Sequence, residues 1–409
     1  MKARYQYRIY PTDQQRKELA RVFGCCRVVY NDALLRCRQS DKLLSNGDLQ
    51  KVCITQAKKT VQRGWLSEVS NIPLQQSVAD LGVAYKNFFD SLKGKRKGAK
   101  VKPPKFKKKD NRQTARFRKG GFSIKKGKVY LAKIGKLKTV WSRPLPSEPS
   151  SVTVIEDRSG RYFLSFVVEV ETVILPATNS SIGIDLGLKT FAYLSSGEVA
   201  RSPDYSPLER KIRKAQRKLS KRKKTSKRRE VMRLKVAKLK AKQADKRRDF
   251  LHKLSTKVVS ENQTTVLEDL NVSGMLKNRC LSRAISQAGW RDFRMMCEAK
   301  SNKFGREFVV ISRWEPTSQV CSDCGYRWGK LDLSVRKVVC INCNSHHDRD
   351  GNAAKRIEQV GVGHIHDSKR TGRECKTDIS AVPIELSTHQ KYKQLALFDC
   401  LGITVSLER

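Results

Sequence analysis

Seven side chains in this sequence have types and spacings that could do chemistry. Cys321, Cys324, Cys340 and Cys343 form two Cys-x-x-Cys pairs separated by fifteen residues. Such pairs can set four thiolates tetrahedrally around one Zn²⁺ and close its coordination shell, as a structural site does. Gly325 follows the first pair and Asn344 the second, and both tolerate the left-handed backbone expected there. His346 and His347 lie close by. With four sulfurs completing the shell, these histidines are expected beside the metal ligands or against phosphate. The other three are carboxylates in a chain where acids are scarce. Asp185 lies in Ile182-Gly183-Ile184-Asp185-Leu186-Gly187, whose alternation puts the acid between two glycines with room beside it for a metal. Glu268 falls near the end of a β-rich run at 264–270, and Asp350 opens a helical stretch, Asn352 to Ile357. Converging at one end of a sheet, three acids could hold two Mg²⁺ ions for in-line phosphodiester hydrolysis. Without a cation they would repel one another and any polyanion. Asp269 and Asp348 adjoin these positions, and periodicity does not choose between the neighbours.

The elements that must position these groups are legible in part. Tyr5, Tyr7 and Ile9 alternate with Arg4, Gln6 and Arg8 as in a half-buried strand, which Pro11 ends. Thr12 and Gln15 have capping-box spacing, and Leu19, Val22, Phe23, Cys26 and Tyr30 follow at helical intervals. Leu74, Val78, Leu81, Tyr85, Phe88 and Phe89 mark another apolar helical face, so a helical subdomain is expected over 12–95. From Lys93 to Lys128 cations crowd around Pro103 and Pro104, with Phe106, Phe117 and Phe122 interleaved. This predicts a nucleic-acid surface whose aromatics stack on bases; a solvated basic linker is the competing reading. Strands are expected at 129–131, 152–155 and 162–168, with a turn at 157–160. With the first strand they suggest one β-barrel-like domain interrupted by the helical insertion.

Strands at 182–187 and 191–194 begin an RNase H-like α/β sheet, continued at 264–270 and 308–311, with a helix carrying Ile285, Ala288, Phe293 and Met296 between. Residues 210–248 hold 21 Lys or Arg and two acids, yet keep apolar stripes at Ile212, Ala215, Leu219 and at Val231, Leu234, Ala241. A basic helical hairpin lining a phosphate channel is expected. Over the whole chain 86 Lys or Arg stand against 39 Asp or Glu, a net charge of +47, so the natural partner is a polyanion. No apolar run reaches the roughly 18 residues of a membrane span, and no signal peptide opens the sequence, so a cytoplasmic protein is expected. Cys25, Cys26, Cys37, Cys53, Cys280, Cys297, Cys375 and Cys400 follow no pattern and read as reduced thiols.

Together Arg8-Ile9-Tyr10-Pro11, Tyr30-Asn31, Ile184-Asp185-Leu186-Gly187, Leu267-Glu268-Asp269-Leu270, Pro316-Thr317-Ser318-Gln319 ahead of the first knuckle, and Asp348-Arg349-Asp350-x-Asn352-Ala353-Ala354 resemble the TnpB family over residues 1–360. These are proteins of bacterial insertion sequences, related to the single-nuclease type V CRISPR effectors. The resemblance implies a multidomain α+β chain. Residues 1–11 and 96–176 would form an oligonucleotide-binding β-barrel (wedge), and 12–95 a helical recognition domain. Residues 180–315 and 347–360 would form a RuvC nuclease domain with its basic hairpin at 207–256. Residues 316–346 would be a target-binding zinc ribbon, leaving 361–409 as a tail, in part disordered. It implies Asp185, Glu268 and Asp350 as the Mg²⁺-binding catalytic triad, choosing Asp350 over Asp348, and the four cysteines as ligands of one structural Zn²⁺. It implies a guide RNA from the transposon end and cleavage of both strands of double-stranded DNA beside a transposon-adjacent motif, with a monomeric ribonucleoprotein favoured. Leu74-Gln75-x-Ser77 is similar to the segment that approaches that motif, making Gln75 a base-reading candidate. Gly351 within the acidic box, and Ile341 and Asn344 in the second knuckle, depart from the family pattern. Two other functions compete: a nuclease-silent RNA-guided regulator, expected to lack a triad acid, and a transposase acting on transposon ends without RNA.

Overall fold

The structure, a computed structural model, describes residues 2–40, 42–96, 100–332 and 334–371, with side chains as far as residue 363. It divides into two compact units, residues 2–170 with 224–237, and residues 171–223 with 238–371.

In the first unit, strand β1 (Lys2–Ile9) is followed by α1 (Asp13–Gln39), the short α2 (Asn46–Gln50) and α3 (Asn71–Leu92). The Thr12 hydroxyl accepts from Gln15 N while the Gln15 side chain accepts from Thr12 N, so the capping box forms as its spacing predicts. Leu74, Val78, Leu81 and Tyr85 are buried on α3, whereas Phe89 remains 38% exposed. Strands β2 (Gln113–Arg118), β3 (Phe122–Lys125), β4 (Lys128–Leu131), β5 (Gly135–Leu137), β6 (Thr139–Val140), β7 (Ser151–Glu156) and β8 (Tyr162–Glu169) complete this unit. They make two antiparallel sheets, one of order β2-β7-β8-β1-β6 and one of β3-β4-β5. β1 and β8 pair from Lys2↔Glu169 to Ile9↔Tyr162, so the chain's first strand does join strands beyond the helical insertion.

Phe117 corrects one expectation. It is fully buried in the core of this unit and has no face to offer a base. Its strand alternates, and the position falls on the inward side with Ala115. Phe106 is exposed, but the Arg38 guanidinium lies 4.7 Å over its ring.

The second unit holds β9 (Ser181–Leu186), β10 (Ala192–Leu194), β11 (Val199–Ala200), α4 (Ser206–Ser220), α5 (Lys227–Glu261, whose first residues group with the other unit), β12 (Thr264–Glu268), α6 (Val272–Met275), α7 (Ser282–Ala288), α8 (Trp290–Phe304), β13 (Glu307–Ile311), the hairpin β14 (Lys337–Val339) and β15 (His346–Asp348), and α9 (Arg349–Thr371). Its sheet has the order β11-β10-β9-β12-β13, with β9, β12 and β13 parallel and β10 antiparallel to β9. Up to Glu268 at its end, β12 is apolar or β-branched and buried on both faces, as a central parallel strand must be. Phe191 meets Phe250 of α5 and Phe293 of α8 edge-on at 5.1 and 5.3 Å, tying both helices to the sheet.

The expected single helix around Ile285 to Met296 is two, because Gly289 takes φ +73 between α7 and α8. The second apolar stripe is shifted as well. Val231 is 68% exposed and Val236 is buried. The tail expected from residue 361 begins as helix, since α9 runs to Thr371, and 372–409 lie outside the described residues, with Cys375 and Cys400. No helix among the described residues is long and apolar enough to cross a membrane.

Candidate active site

The strands bring two of the acids together. The parallel register of β9 and β12 ends at Leu267↔Ile184, so Asp185 and Glu268 each stand one residue beyond that pair. The third arrives on α9, and a glycine lets it do so. A Cβ at Gly183 would run into the Ala354 carbonyl oxygen and lie 2.5 Å from Glu358 N. A Cβ at Gly361 would likewise meet the Val266 side chain. The helix therefore rests on β9 and β12 at backbone distance. The room beside Asp185 that the glycine alternation suggested is filled, at Gly183, by this helix.

The electrostatics follow from the packing. Burial, and then the charge of Asp350, push the Asp185 carboxyl up to about 7, against the pull of Arg349 and a bond from the Leu186 backbone. Burial, and then Asp185 and Asp269, push Glu268 up to about 7. Among the described residues neither acid has an ion-pair partner, a costly arrangement that a cation would relieve. The neighbouring acids are differently placed. Asp348 Oδ1 accepts from the backbone N–H groups of Asp350 and Gly351, both at 3.1 Å, and so caps α9. Asp269 takes Arg294 at 2.6 Å and Arg313 Nε at 3.0 Å; burial raises its carboxyl, but these bonds outweigh that and hold it low. Asp350 pairs with Arg336 at 3.1 Å. No sequence signal marked Arg336, which lies between the knuckles and ahead of β14.

The four cysteine sulfurs lie within 4.8 Å of one another, close enough to hold one metal ion. Cys321 and Cys343 are 3.7 Å apart, Cys324 and Cys340 3.5 Å. Tetrahedral Zn–S bonds of about 2.3 Å put sulfurs about 3.8 Å apart, so these two separations suit Zn²⁺. Gly325 takes φ +77 and Asn344 φ +55, with N–H groups bonded to the Cys321 and Cys340 carbonyls, the left-handed knuckles their positions predict. His347 is buried, with Nε2 3.1 Å from Cys321 Sγ, beside the sulfurs and outside their set. Asn352 stands in the acidic box, but its spacing gave it no role. Fully buried, it accepts from Ser322 N and donates to the Val320 carbonyl, both at 2.8 Å, stitching the first knuckle to the helix that carries Asp350.

One cationic groove and one further sequence candidate complete the set. On α4, Leu208, Ile212 and Ala215 face inward while Arg210, Arg213, Lys214, Arg217, Lys218 and Lys221 line an open groove of about 480 Å³. In the other unit Gln75 is exposed on α3, beside the buried Gln76.

Family models described as "Probable transposase", "Cas12f1-like, TNB domain" and "Helix-turn-helix domain" match residues 165–279, 290–357 and 1–42. A Streptomyces pristinaespiralis protein named "Putative RNA-guided DNA endonuclease" is 43% identical, over 91% of this chain and 95% of its own. An Escherichia coli (strain K12) protein with the same name and the suffix InsQ is 30% identical, over 87% of this chain and 92% of its own. A "TnpB-like protein L770" of Acanthamoeba polyphaga mimivirus is 26% identical, over 87% and 72% respectively. Such identity across nearly the whole length of both bacterial relatives means that this chain belongs to the TnpB family of insertion-sequence proteins.

Proposed function

We propose that the protein is an RNA-guided DNA endonuclease, in which a guide RNA from the transposon end pairs with target DNA and one nuclease site hydrolyses its phosphodiesters beside a transposon-adjacent motif. The observation that carries this is the convergence of Asp185, Glu268 and Asp350, with Asp185 raised to about 7 by burial and the charge of Asp350, and Glu268 to about 7 by burial and the charges of Asp185 and Asp269, in a chain of net charge +47. On this reading residues 180–315 and 347–360 are a RuvC-type RNase H-like domain, 316–346 a zinc ribbon, 12–95 the recognition domain, and 1–11 with 96–176 the oligonucleotide-binding barrel. Asp185, Glu268 and Asp350 hold two Mg²⁺ ions, and the four cysteines hold one Zn²⁺. Bound Mg²⁺ would supply charge neutralisation for an in-line displacement at phosphorus. The chain's own part is to orient the three carboxylates on β9, β12 and α9, to keep Asp269 and Asp348 occupied elsewhere, and to bring the Arg336 guanidinium to the same edge. Gln75, exposed on α3, is the proposed reader of the adjacent motif.

All three acids are present, which weighs against a nuclease-silent regulator. The test is protein expressed with its flanking locus, its RNA sequenced, then challenged with a randomised-flank DNA library in Mg²⁺. Asp185→Ala should abolish cleavage, by at least about a thousandfold, and leave RNA and DNA binding nearly intact. Undiminished cleavage would sink the site, and protein without RNA of defined sequence would sink the guide.

A further inference from the structure

Between α3 and strands β2 and β7 the first unit contains a polar cavity of about 250 Å³ that none of the groups above uses. Its wall includes Gln76, which is 5% exposed and whose Oε1 has no hydrogen-bond partner among the described residues. Leaving a buried carbonyl oxygen unpaired costs about 1–3 kcal/mol, so it asks for a donor. The other polar groups of that helix face are already engaged. Ser77 Oγ donates to the Cys26 carbonyl at 2.6 Å, and Asp80 pairs with Arg116 at 2.9 Å.

Lys107 closes another side. Its backbone is clamped by Asn31, with N–H to Oδ1 at 2.8 Å and Nδ2 to its carbonyl at 3.1 Å. Its ammonium sits 4.0 Å over the Tyr30 ring. The Tyr30-Asn31 pair thus places a cation at the cavity instead of letting it swing into solvent. Burial lowers the Lys107 ammonium's pKa, Asp80 and Cys26 only partly opposing it, so this cation gains from an anion that comes to it. Arg112 and Arg116 complete a cationic lip.

We propose that this cavity binds a single unstacked nucleotide of the RNA that the protein carries, the buried Gln76 amide turning to take an N–H of the base on Oε1 and the phosphate meeting Lys107 with Arg112 or Arg116. The volume takes one base, with its sugar and phosphate at the open lip, and excludes a paired stack. RNA is the source because folded single strands present unstacked bases in loops and bulges, whereas duplex DNA must first break a pair and a stack to present one. The proposal rests on the RNA-guided reading and names where within the first unit one nucleotide is held.

The test uses the ribonucleoprotein purified with its native locus, ultraviolet crosslinking with peptide sequencing, and the variants Gln76→Leu and Lys107→Met. The expected result is a nucleotide crosslinked to the peptides around Gln76 or Lys107. Gln76→Leu should lower RNA affinity about tenfold, yet leave the RNA-free protein melting as high as wild type or higher, since an unpaired buried polar group has been removed. Lys107→Met should also weaken RNA binding. A lower melting temperature for Gln76→Leu with unchanged RNA affinity would make the glutamine structural and overturn the pocket. A crosslink there from a target DNA strand would overturn the assignment to RNA. If the wild-type protein carries no RNA, the guided reading fails with it; if RNA is bound but both variants bind normally, only the pocket fails.

Discussion

Asp185 is the residue at which burial and charge conflict most. Its carboxyl titrates from 3.8 in an open chain to about 7 in the fold, and Glu268 from 4.5 to about 7. Folded pKa values above unfolded ones mean that the native state holds more protons between those limits. This contribution to stability is intact below about pH 4 and is lost as pH rises through about 7. In chelator, the protein should therefore melt several degrees lower at pH 8 than at pH 5.5, and Asp185→Asn should raise the pH 8 value and flatten the profile. Thermal melts across that range check it, and a pH profile identical in wild type and variant would show that Asp185 is not strained. The same acids that weaken the metal-free fold are the ones proposed to bind Mg²⁺, so added Mg²⁺ should stabilise wild type more than the variant.

At the scale of elements, α9 is the part on which the site depends. It reaches β9 only because residue 183 has no side chain, and backbone atoms of Ala354 and Glu358 cannot yield as a flexible side chain could. Gly183→Ala is expected to cost about 2–3 kcal/mol by analogy with overpacked cores, and to depress cleavage further than stability, because lifting α9 moves Asp350 away from Asp185. Chemical denaturation and cleavage assays on one preparation separate the two effects. Gly351 should behave in the opposite way. It lies in the first turn of α9, where a Cβ would make only 3.8 Å contacts with Asp348, so Gly351→Ala is expected to add up to about 1 kcal/mol and leave cleavage intact. A loss of stability would mean that the Asp348 cap requires glycine.

For the molecule as a whole, the tetracysteine segment and the acids form one mechanical system within the second unit. Asn352 bonds to the backbone on either side of Cys321, and Gln359 Nε2 donates to the Ser322 carbonyl at 2.7 Å, so the tetracysteine site and α9 share their hydrogen bonds. Cys340→Ser should reduce bound zinc, measured by metal analysis, and should lower cleavage at least tenfold through displacement of the Asp350 helix. Guide RNA binding should change little, since the basic α4 face and the first unit do not rest on those sulfurs. Full cleavage by a zinc-depleted variant would show that this segment serves only to touch nucleic acid.

What the sequence determined by itself was whatever depends on near neighbours in the chain. The capping box at Thr12, the left-handed residues Gly325 and Asn344, and the alternation of β1 are all set within a few residues, where local sterics and hydrogen bonds decide. The four cysteines were equally legible, because knuckle geometry is itself local. Tertiary structure decided everything that turns on which face of an element meets another. It buried Phe117 and left Val231 exposed, capped α9 with Asp348 while setting Asp350 beside Asp185, gave Asp269 to two arginines, and turned Gln76 inward next to the exposed Gln75. Adjacent residues of similar chemistry are indistinguishable to periodicity. Packing between strands and helices far apart in sequence separates them, since only there do burial and opposing charge differ.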